Sequence, residues 1–297
     1  MDDQGQITEN RINREAIRVL KRLDYVAADQ LIEQGEAEFA QQLRDLLTCA
    51  THLRTKRIAD RAFSLQRPEY KISVENNQIT VAMLEKDSPS RLIVAEMMIL
   101  ANHLAAKYAY RHQIPLIYRV QDRPLEPITE EMMADPLGFH KARRLLGRSS
   151  LSLQPGGHSG LGLSMYTQLT SPLRRFADLV MQRQLMAHLV GEELPYDREE
   201  LLKVLETAER TARESRSIEG EAKRRWLMQY LKQSWGNKPL EVLITNEVRG
   251  GYKVEVQPWG IEAYLATGYS LELGQTATAV IEKIRVKVAN ARLKLVT

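Results

Sequence analysis

Ser171, Pro172, Arg174, Arg175 and Asp178 stand close together in the stretch YTQLTSPLRRFADLVMQR, residues 166–183. Two adjacent arginines can grip a phosphate or carboxylate with paired N–H donors. Thr170 and Ser171 before Pro172 predict a capped helix start there, and a helix N-terminus offers free backbone N–H groups to the same anion. Cations are otherwise disfavoured at that positive end, so the local rule is broken where the surrounding helix grammar is good, as happens at functional sites. The chemistry this predicts is an anion clamp. The alternative is an ordinary ion pair, for instance with Asp178 on the following turn.

Three further groups of residues could do chemistry. Glu96 lies inside the apolar run VAEMMILAN, where a carboxylate is costly unless it is paired or functional. Glu219, in RSIEGEAKRRW, is either a solvated helix-face residue or a carboxylate that assists phosphodiester hydrolysis, which needs cations on developing charge and carboxylates on metal or water. Near the C-terminus Tyr252, Trp259, Tyr264 and Tyr269 are interleaved with Arg249, Lys253, Lys283, Arg285 and Lys287. Aromatic faces stack bases while cations meet phosphates, the logic of single-strand binding on small barrels. Some of these aromatics must instead fill the barrel core.

The segment GHSGLGLSMYTQLTSPLRRFADLVMQRQL resembles the signature of the RNase II family, also called the RNB family. The chain keeps Gly157-His158, Gly160-Leu161-Gly162-Leu163, Tyr166, Thr170-Ser171-Pro172, Arg174-Arg175 and Asp178. It departs at Gln168, Phe176 and Met181-Gln182, where the family often has His, Tyr and a Val-His pair. VAEMMILAN is similar to the family's EEFMLLAN helix, with Asn102 at its end, and LIYRVQDRP to PYRVH-x-x-P, with Gln121 in place of His. The resemblance implies a 3′-to-5′ exoribonuclease that hydrolyses single-stranded RNA to nucleoside 5′-monophosphates with Mg2+. It implies that Arg174 holds the terminal phosphate, that Glu219 assists the chemistry, and that Glu96, Tyr166 and Arg175 meet RNA. Tyr25, in RLDYVAADQL, is similar to a family tyrosine along the RNA channel. Arg249, Lys253 and Tyr264 are expected to bind RNA on a terminal barrel similar to the ribosomal-protein type.

The family's Asp cluster, D-x-x-x-x-x-D-x-D-D, has no counterpart in these residues, and Asp2-Asp3 lacks its context. No metal ligand is therefore assigned in this chain. The expectation is the second half of a catalytic domain, with the other part present as further chain or as a separate polypeptide. A non-catalytic RNA-binding remnant, or a subunit of a split enzyme, is the alternative. A domain cut there leaves apolar strands of an incomplete sheet exposed.

The elements that must position these residues can be read from the pattern. Residues 25–60 predict two helices by apolar period, residues 63–85 a hairpin around Asn76-Asn77, and residues 88–112 a long apolar helix opened by Ser88-Pro89. IPLIYRVQDRP predicts a buried strand, and residues 197–235 another long helix. After Gly236 the pattern changes to five short strands, with a Gly250-Gly251 turn. The fold class expected is α+β: a partial RNB catalytic domain with a mixed sheet and long helices over 1–235, then a five-stranded OB-type barrel over 236–297. A length of 297 residues has room for one large domain and one small one. Apolar content of 43%, charged content of 27% and net charge of +4 describe an ordinary globular chain whose basic clusters, rather than its total charge, point to nucleic acid. Cys49 is the one cysteine, so neither an internal disulfide nor a cysteine zinc site is available. No uninterrupted apolar run approaches membrane-spanning length and no leader is visible, so a cytoplasmic protein without a membrane partner is expected.

Overall fold

The computed structural model describes residues 7–35, 38–60, 62–63, 69–84 and 88–296. Asp2 and Asp3, weighed above against the family's Asp cluster, lie outside these residues. In chain order the elements are α1 (Tyr25–Gln34), α2 (Ala40–Ala59), β1 (Tyr70–Glu75), β2 (Gln78–Met83), α3 (Pro89–Arg111), β3 (Tyr118–Val120), α4 (Glu130–Ala134), α5 (Gly138–Leu145) and β4 (Ser150–Ser152). There follow α6 (Phe176–Val190), α7 (Arg198–Ser234) and strands β5 (Leu240–Val248), β6 (Gly251–Val256), β7 (Ile261–Ala266), β8 (Thr276–Arg285) and β9 (Asn290–Leu295). The α+β class with a terminal five-stranded barrel is what the structure shows.

Two compact units divide the chain. The first comprises Met1–Ser64, Lys86–Pro124 and Leu146–Ala212; the second comprises Leu65–Glu85, Leu125–Leu145 and Arg213–Thr297. Both units draw on separated stretches of sequence, because the hairpin β1–β2 and helices α4 and α5 group with the barrel.

Helix starts in the first unit follow local chemistry. Asp24 caps α1 by accepting from the Ala27 N–H at 2.8 Å, and Ser88 caps α3 ahead of Pro89. Asp197 and Glu200 cap α7 reciprocally, each carboxylate accepting the other's backbone N–H at 2.8 and 2.9 Å. The core joins α3, β3, α6 and the start of α7 through Ala105, Ala106, Leu116, Val180, Met181 and Leu201, all at most 3% exposed. A buried leucine or methionine there contributes about 1.5–3 kcal/mol. Strand β3 pairs antiparallel with β4, bridges antiparallel to Thr167 and parallel to His158 through Gln121, and so sits in a small patch of mixed pairing.

Helix α3 amends one expectation. It is the one helix among the described residues long and apolar enough, by length and composition, to cross a membrane. Its polar residues Glu96 and Asn102 are 3% and 2% exposed and bonded to other parts of the first unit, which makes it that unit's core helix.

In the second unit the strands close in the order β5-β6-β7-β9-β8, with β8 returning to β5 and β7 parallel to β9. This is the five-stranded barrel the sequence pattern predicts. Leu227, Met228 and Leu231 of α7 pack on its core of Leu240, Val242, Ile244, Val254, Leu265 and Leu293.

One glycine in the first unit is required by its backbone. Gly162 has φ +64°, and a Cβ there would lie 2.7 Å from the Arg57 carbonyl at the end of α2. Gly162→Ala is expected to cost about 2–3 kcal/mol, the sum of a left-handed residue and a displaced backbone. Loss of amide-exchange protection in α2 and α3 measures it; unchanged protection would show that the 160–162 turn moves away without cost.

Candidate functional site

The predicted helix opening shifts from Pro172 to Phe176, four residues, in the structure. Helix α6 begins at Phe176, Arg175 is its cap, and no side chain caps it; Thr170 and Ser171 do not do so. Residues 171–175 form a turn, in which the Ser171 carbonyl accepts from the N–H groups of Arg174 and Arg175 at 3.2 and 3.0 Å. A carboxylate in the first turn of α6 instead ties the helix back to the turn that precedes it. Asp178, 1% exposed, accepts the Ser171 N–H at 2.9 Å and the Arg175 guanidinium at 2.6 Å. Arg175 is thus neutralised at the positive end of α6 by a buried carboxylate.

The two-arginine clamp therefore separates into two roles. Arg175 has the ion-pair role and holds the turn. Arg174 is exposed and has no ion pair among the described residues, next to Leu173, which is fully exposed.

The turn is held from three sides. Asn102 of α3 accepts the Leu169 N–H at 3.0 Å and donates to the Tyr166 hydroxyl at 3.0 Å and, at 3.4 Å, to Thr170 Oγ1. Gln182 of α6 donates to the Leu169 carbonyl at 2.7 Å, and the buried Thr167 hydroxyl donates to the Ile117 carbonyl at 2.6 Å. His103 Nδ1 lies 2.7 Å from the Met165 carbonyl. Such over-determination fixes the direction in which Arg174 leaves the surface.

Three ionisable side chains of the signature, His158, Tyr166 and Arg175, are partly or wholly removed from solvent. His158 packs edge-on to Tyr166 with ring centroids 5.6 Å apart. Burial, then the charge of Arg119, pushes the His158 imidazole down to about 4, so it is neutral at physiological pH. Burial raises the Tyr166 phenol above its ordinary value, against the Asn102 hydrogen bond and the charges of Arg175 and Arg119. His158 Nδ1 and Arg175 Nε are buried without a hydrogen-bond partner among the described residues.

The remaining predicted residues fall as follows. Glu96 does not present itself to a ligand: both its oxygens pair with Arg57, the Arg57 Nε at 2.9 Å, and Arg57 also donates to the Leu161 carbonyl at 3.1 Å. This buried ion pair ties α2, α3 and the GLGL loop together. Tyr25 is 40% exposed at the start of α1, with the Arg91 guanidinium 4.3 Å from its ring centroid. Glu219 belongs to the second unit, where it is exposed and pairs with Lys223 at 2.6 Å, which holds its carboxyl below the ordinary value. Gln121 takes a local role: its side chain accepts the Gly160 N–H at 2.9 Å and donates to the Gly147 carbonyl at 2.7 Å.

On the barrel, Tyr252 and Trp259 are 7% exposed and belong to the core, whereas Tyr264 is half-buried. Lys253 on β6 stands opposite Tyr264 on β7, Tyr264 opposite Arg292 on β9, and Arg292 opposite Lys283 on β8. Cross-strand partners share a face, so these four make one exposed row with an aromatic in it. The Tyr264 hydroxyl donates to the Gly250 carbonyl at 2.6 Å and braces the turn that carries exposed Arg249. Arg292, which packs its guanidinium 5.7 Å from the Tyr264 ring and pairs with Glu282 at 2.7 Å, was not singled out from sequence. Only the barrel register brings it there.

Among the described residues no three His, Cys, Asp or Glu side chains gather closely enough to hold a metal ion. The described residues thus do not fit the Mg2+ site that the resemblance implies.

The RNB domain matches residues 1–191. The chain belongs to the RNB-domain family. It is 32% identical over 241 residues to an uncharacterized ribonuclease of Synechocystis, a match covering 79% of this chain and 35% of that protein. The fold is similar to that of the Dss1 exoribonuclease of Candida glabrata, solved as an active-site mutant, with TM-score 0.82, 22% identity and coverage of 93% of this chain and 38% of that one. It is also similar to RNase R of Mycoplasma genitalium, solved with ribose-methylated single-stranded RNA, with TM-score 0.77, 17% identity and coverage of 92% and 53%. This RNB chain spans about a third of the length of the Synechocystis relative.

The buried neutral His158 sets a pH dependence. Its pKa is about 4 in the fold against an ordinary 6.5, so the unfolded chain binds more protons between these values. Stability that is complete above about pH 6.5 is lost as pH falls toward 4. His158→Gln is expected to flatten that limb in urea midpoints measured from pH 4 to 7; an unchanged slope assigns the dependence elsewhere.

Proposed function

We propose that this RNB-family chain forms part of an RNase II-type 3′-to-5′ exoribonuclease that hydrolyses single-stranded RNA to nucleoside 5′-monophosphates. The observation that carries the reading is the rigidly held 166–175 turn, which presents one unpaired arginine at the end of the family signature. Arg174 binds the phosphate at the RNA 3′ end, where water adds to phosphorus and the bond to the preceding O3′ breaks. A guanidinium aimed there stabilises the charge that develops on the phosphoryl oxygens. Glu219, exposed on α7, contacts the terminal nucleotide, and Tyr25 lies along the strand. Single-stranded RNA is the partner, in line with the RNA-bound RNase R of similar fold. The barrel row of Lys253, Tyr264 and Arg292, with Arg249 beside it, binds the strand through phosphates and base stacking.

Mg2+ belongs to this proposal as an implied cofactor whose ligands another polypeptide, or further chain, supplies. A second reading, an RNA-binding protein without catalysis, is favoured by the missing acidic cluster among the described residues. Digestion of single-stranded RNA with Mg2+, compared with binding of the same RNA, separates the two. The chain by itself is expected to bind RNA and to release no mononucleotide. Release by the chain by itself would overturn the assignment of the metal ligands elsewhere.

In the completed enzyme Arg174→Ala is expected to lower turnover by about a hundredfold, the effect of losing one charge-stabilising donor, with a much smaller change in RNA affinity. Unchanged turnover would refute its role. Lys253→Ala with Arg292→Ala is expected to reduce the salt dependence of RNA binding by a slope of roughly 1.4, the value for two phosphate contacts on a single strand. An unaltered slope in fluorescence anisotropy would place the RNA on another face.

A further inference from the structure

Tyr108, His112 and His188 form a ring cluster in the first unit that neither the signature turn nor the barrel row uses. His112 follows Tyr108 at one turn's spacing at the end of α3, with ring centroids 4.2 Å apart. His188 comes from the last turn of α6. Its ring meets Tyr108 edge-on at 5.7 Å and His112 at 5.1 Å, with 53° between the two imidazole planes. Geometry decides what such a pair can hold. Zn–N bonds are about 2.0–2.1 Å, and an imidazole nitrogen stands about 1.1 Å from its ring centre. Each centre thus lies about 3.2 Å from a shared ion, and at the tetrahedral angle the two centres lie about 5.2 Å apart. The observed 5.1 Å matches that separation. Tyr108 packs against both rings and so holds them near it before any ion arrives.

The helix ends favour a cation there as well. His112 is the C-terminal cap of α3, and Gly191 caps α6 one turn after His188. Two helix C-termini, each the negative end of its dipole, therefore meet at the pair. Imidazole suits Zn2+, Ni2+ and Cu2+, whereas Mg2+ selects oxygen ligands. We infer that His112 and His188 bind one divalent ion of the Zn2+, Ni2+ and Cu2+ group and clip the end of α3 to the end of α6. Two protein ligands leave the remaining positions to water, so the ion exchanges with solvent, unlike one in a closed four-ligand structural site. The same two helices hold the signature turn through Asn102, Asp178 and Gln182. His112 lies ten residues beyond Asn102, and His188 ten beyond Asp178, about 15 Å along each helix. The ion thus fastens one end of a helix pair whose other end holds the turn that carries Arg174. The inference does not depend on the RNA reading.

The test uses the full, untagged chain and Zn2+ alone, titrated by calorimetry with Mg2+ as the control ion. One Zn2+ is expected to bind saturably, without competition from Mg2+, and to raise the urea midpoint of unfolding. His112→Gln, at an exposed helix end, and His188→Gln are each expected to weaken Zn2+ binding at least about tenfold. His52→Gln and His140→Gln, away from the pair, are expected to leave it unchanged. Cu2+ in place of Zn2+ is expected to give an electron paramagnetic resonance spectrum split by two imidazole nitrogens, reduced to one in either pair variant. Ring packing without a metal site cannot produce that splitting. Where a glutamine variant folds poorly, the two-nitrogen spectrum of the unaltered chain still decides. No saturable Zn2+ binding, equal binding of Mg2+, Zn2+ affinity unaffected in both pair variants, or a one-nitrogen Cu2+ spectrum in the unaltered chain would overturn the inference.

Discussion

Asn102 is a primary amide buried in the long apolar helix α3, and the geometry of the signature segment depends on the hydrogen bonds it makes. An amide placed there without partners would cost roughly 2–7 kcal/mol, so the site is stable only if its partners stay in place. They are the Leu169 N–H, the Tyr166 hydroxyl and the Thr170 hydroxyl, all 64 or more residues away in sequence. The constraint runs both ways. Asn102 holds the segment at one separation from α3, and the segment satisfies Asn102. Gln182 and Asp178 close the same segment from α6, so the chain between Tyr166 and Arg175 has little freedom left.

This explains how Arg174 is left without an ion pair among the described residues. A cation at a helix N-terminus is unfavourable, and Arg175 sits there with its charge met by buried Asp178. Removing either partner of such a pair leaves an uncompensated charge, which makes Arg175 a structural residue. Arg174, one position earlier, points away from that pairing and remains exposed. Pre-organisation and availability thus fall on adjacent residues. The Arg57–Glu96 pair does comparable work behind the site, where it joins two helices to the glycine loop whose turn only Gly162 can make.

The barrel reaches a binding face by a different route. Its inward positions alternate with outward ones, so burying Val254, Leu265 and Leu293 leaves Lys253, Tyr264 and Arg292 outside as neighbours. Here the core and the face are the same choice of register. Tyr252 and Trp259 fell inside for that reason, although their types suit base stacking equally well.

What was legible in the sequence was local. Helical period, Ser88-Pro89 and the strand alternation after Gly236 are each decided within a few residues, and the structure follows them. The signature around Tyr166 and Arg174 was legible too, because it is contiguous. Tertiary structure decided what each polar residue does with its charge. It gave Arg175 to Asp178 and Glu96 to Arg57, made His158 neutral by burial, and started α6 at Phe176, with the Ser171 N–H bonded to Asp178. Those outcomes depend on desolvation and on partners tens of residues away. Neither quantity is carried by the identity of a residue or of its sequence neighbours.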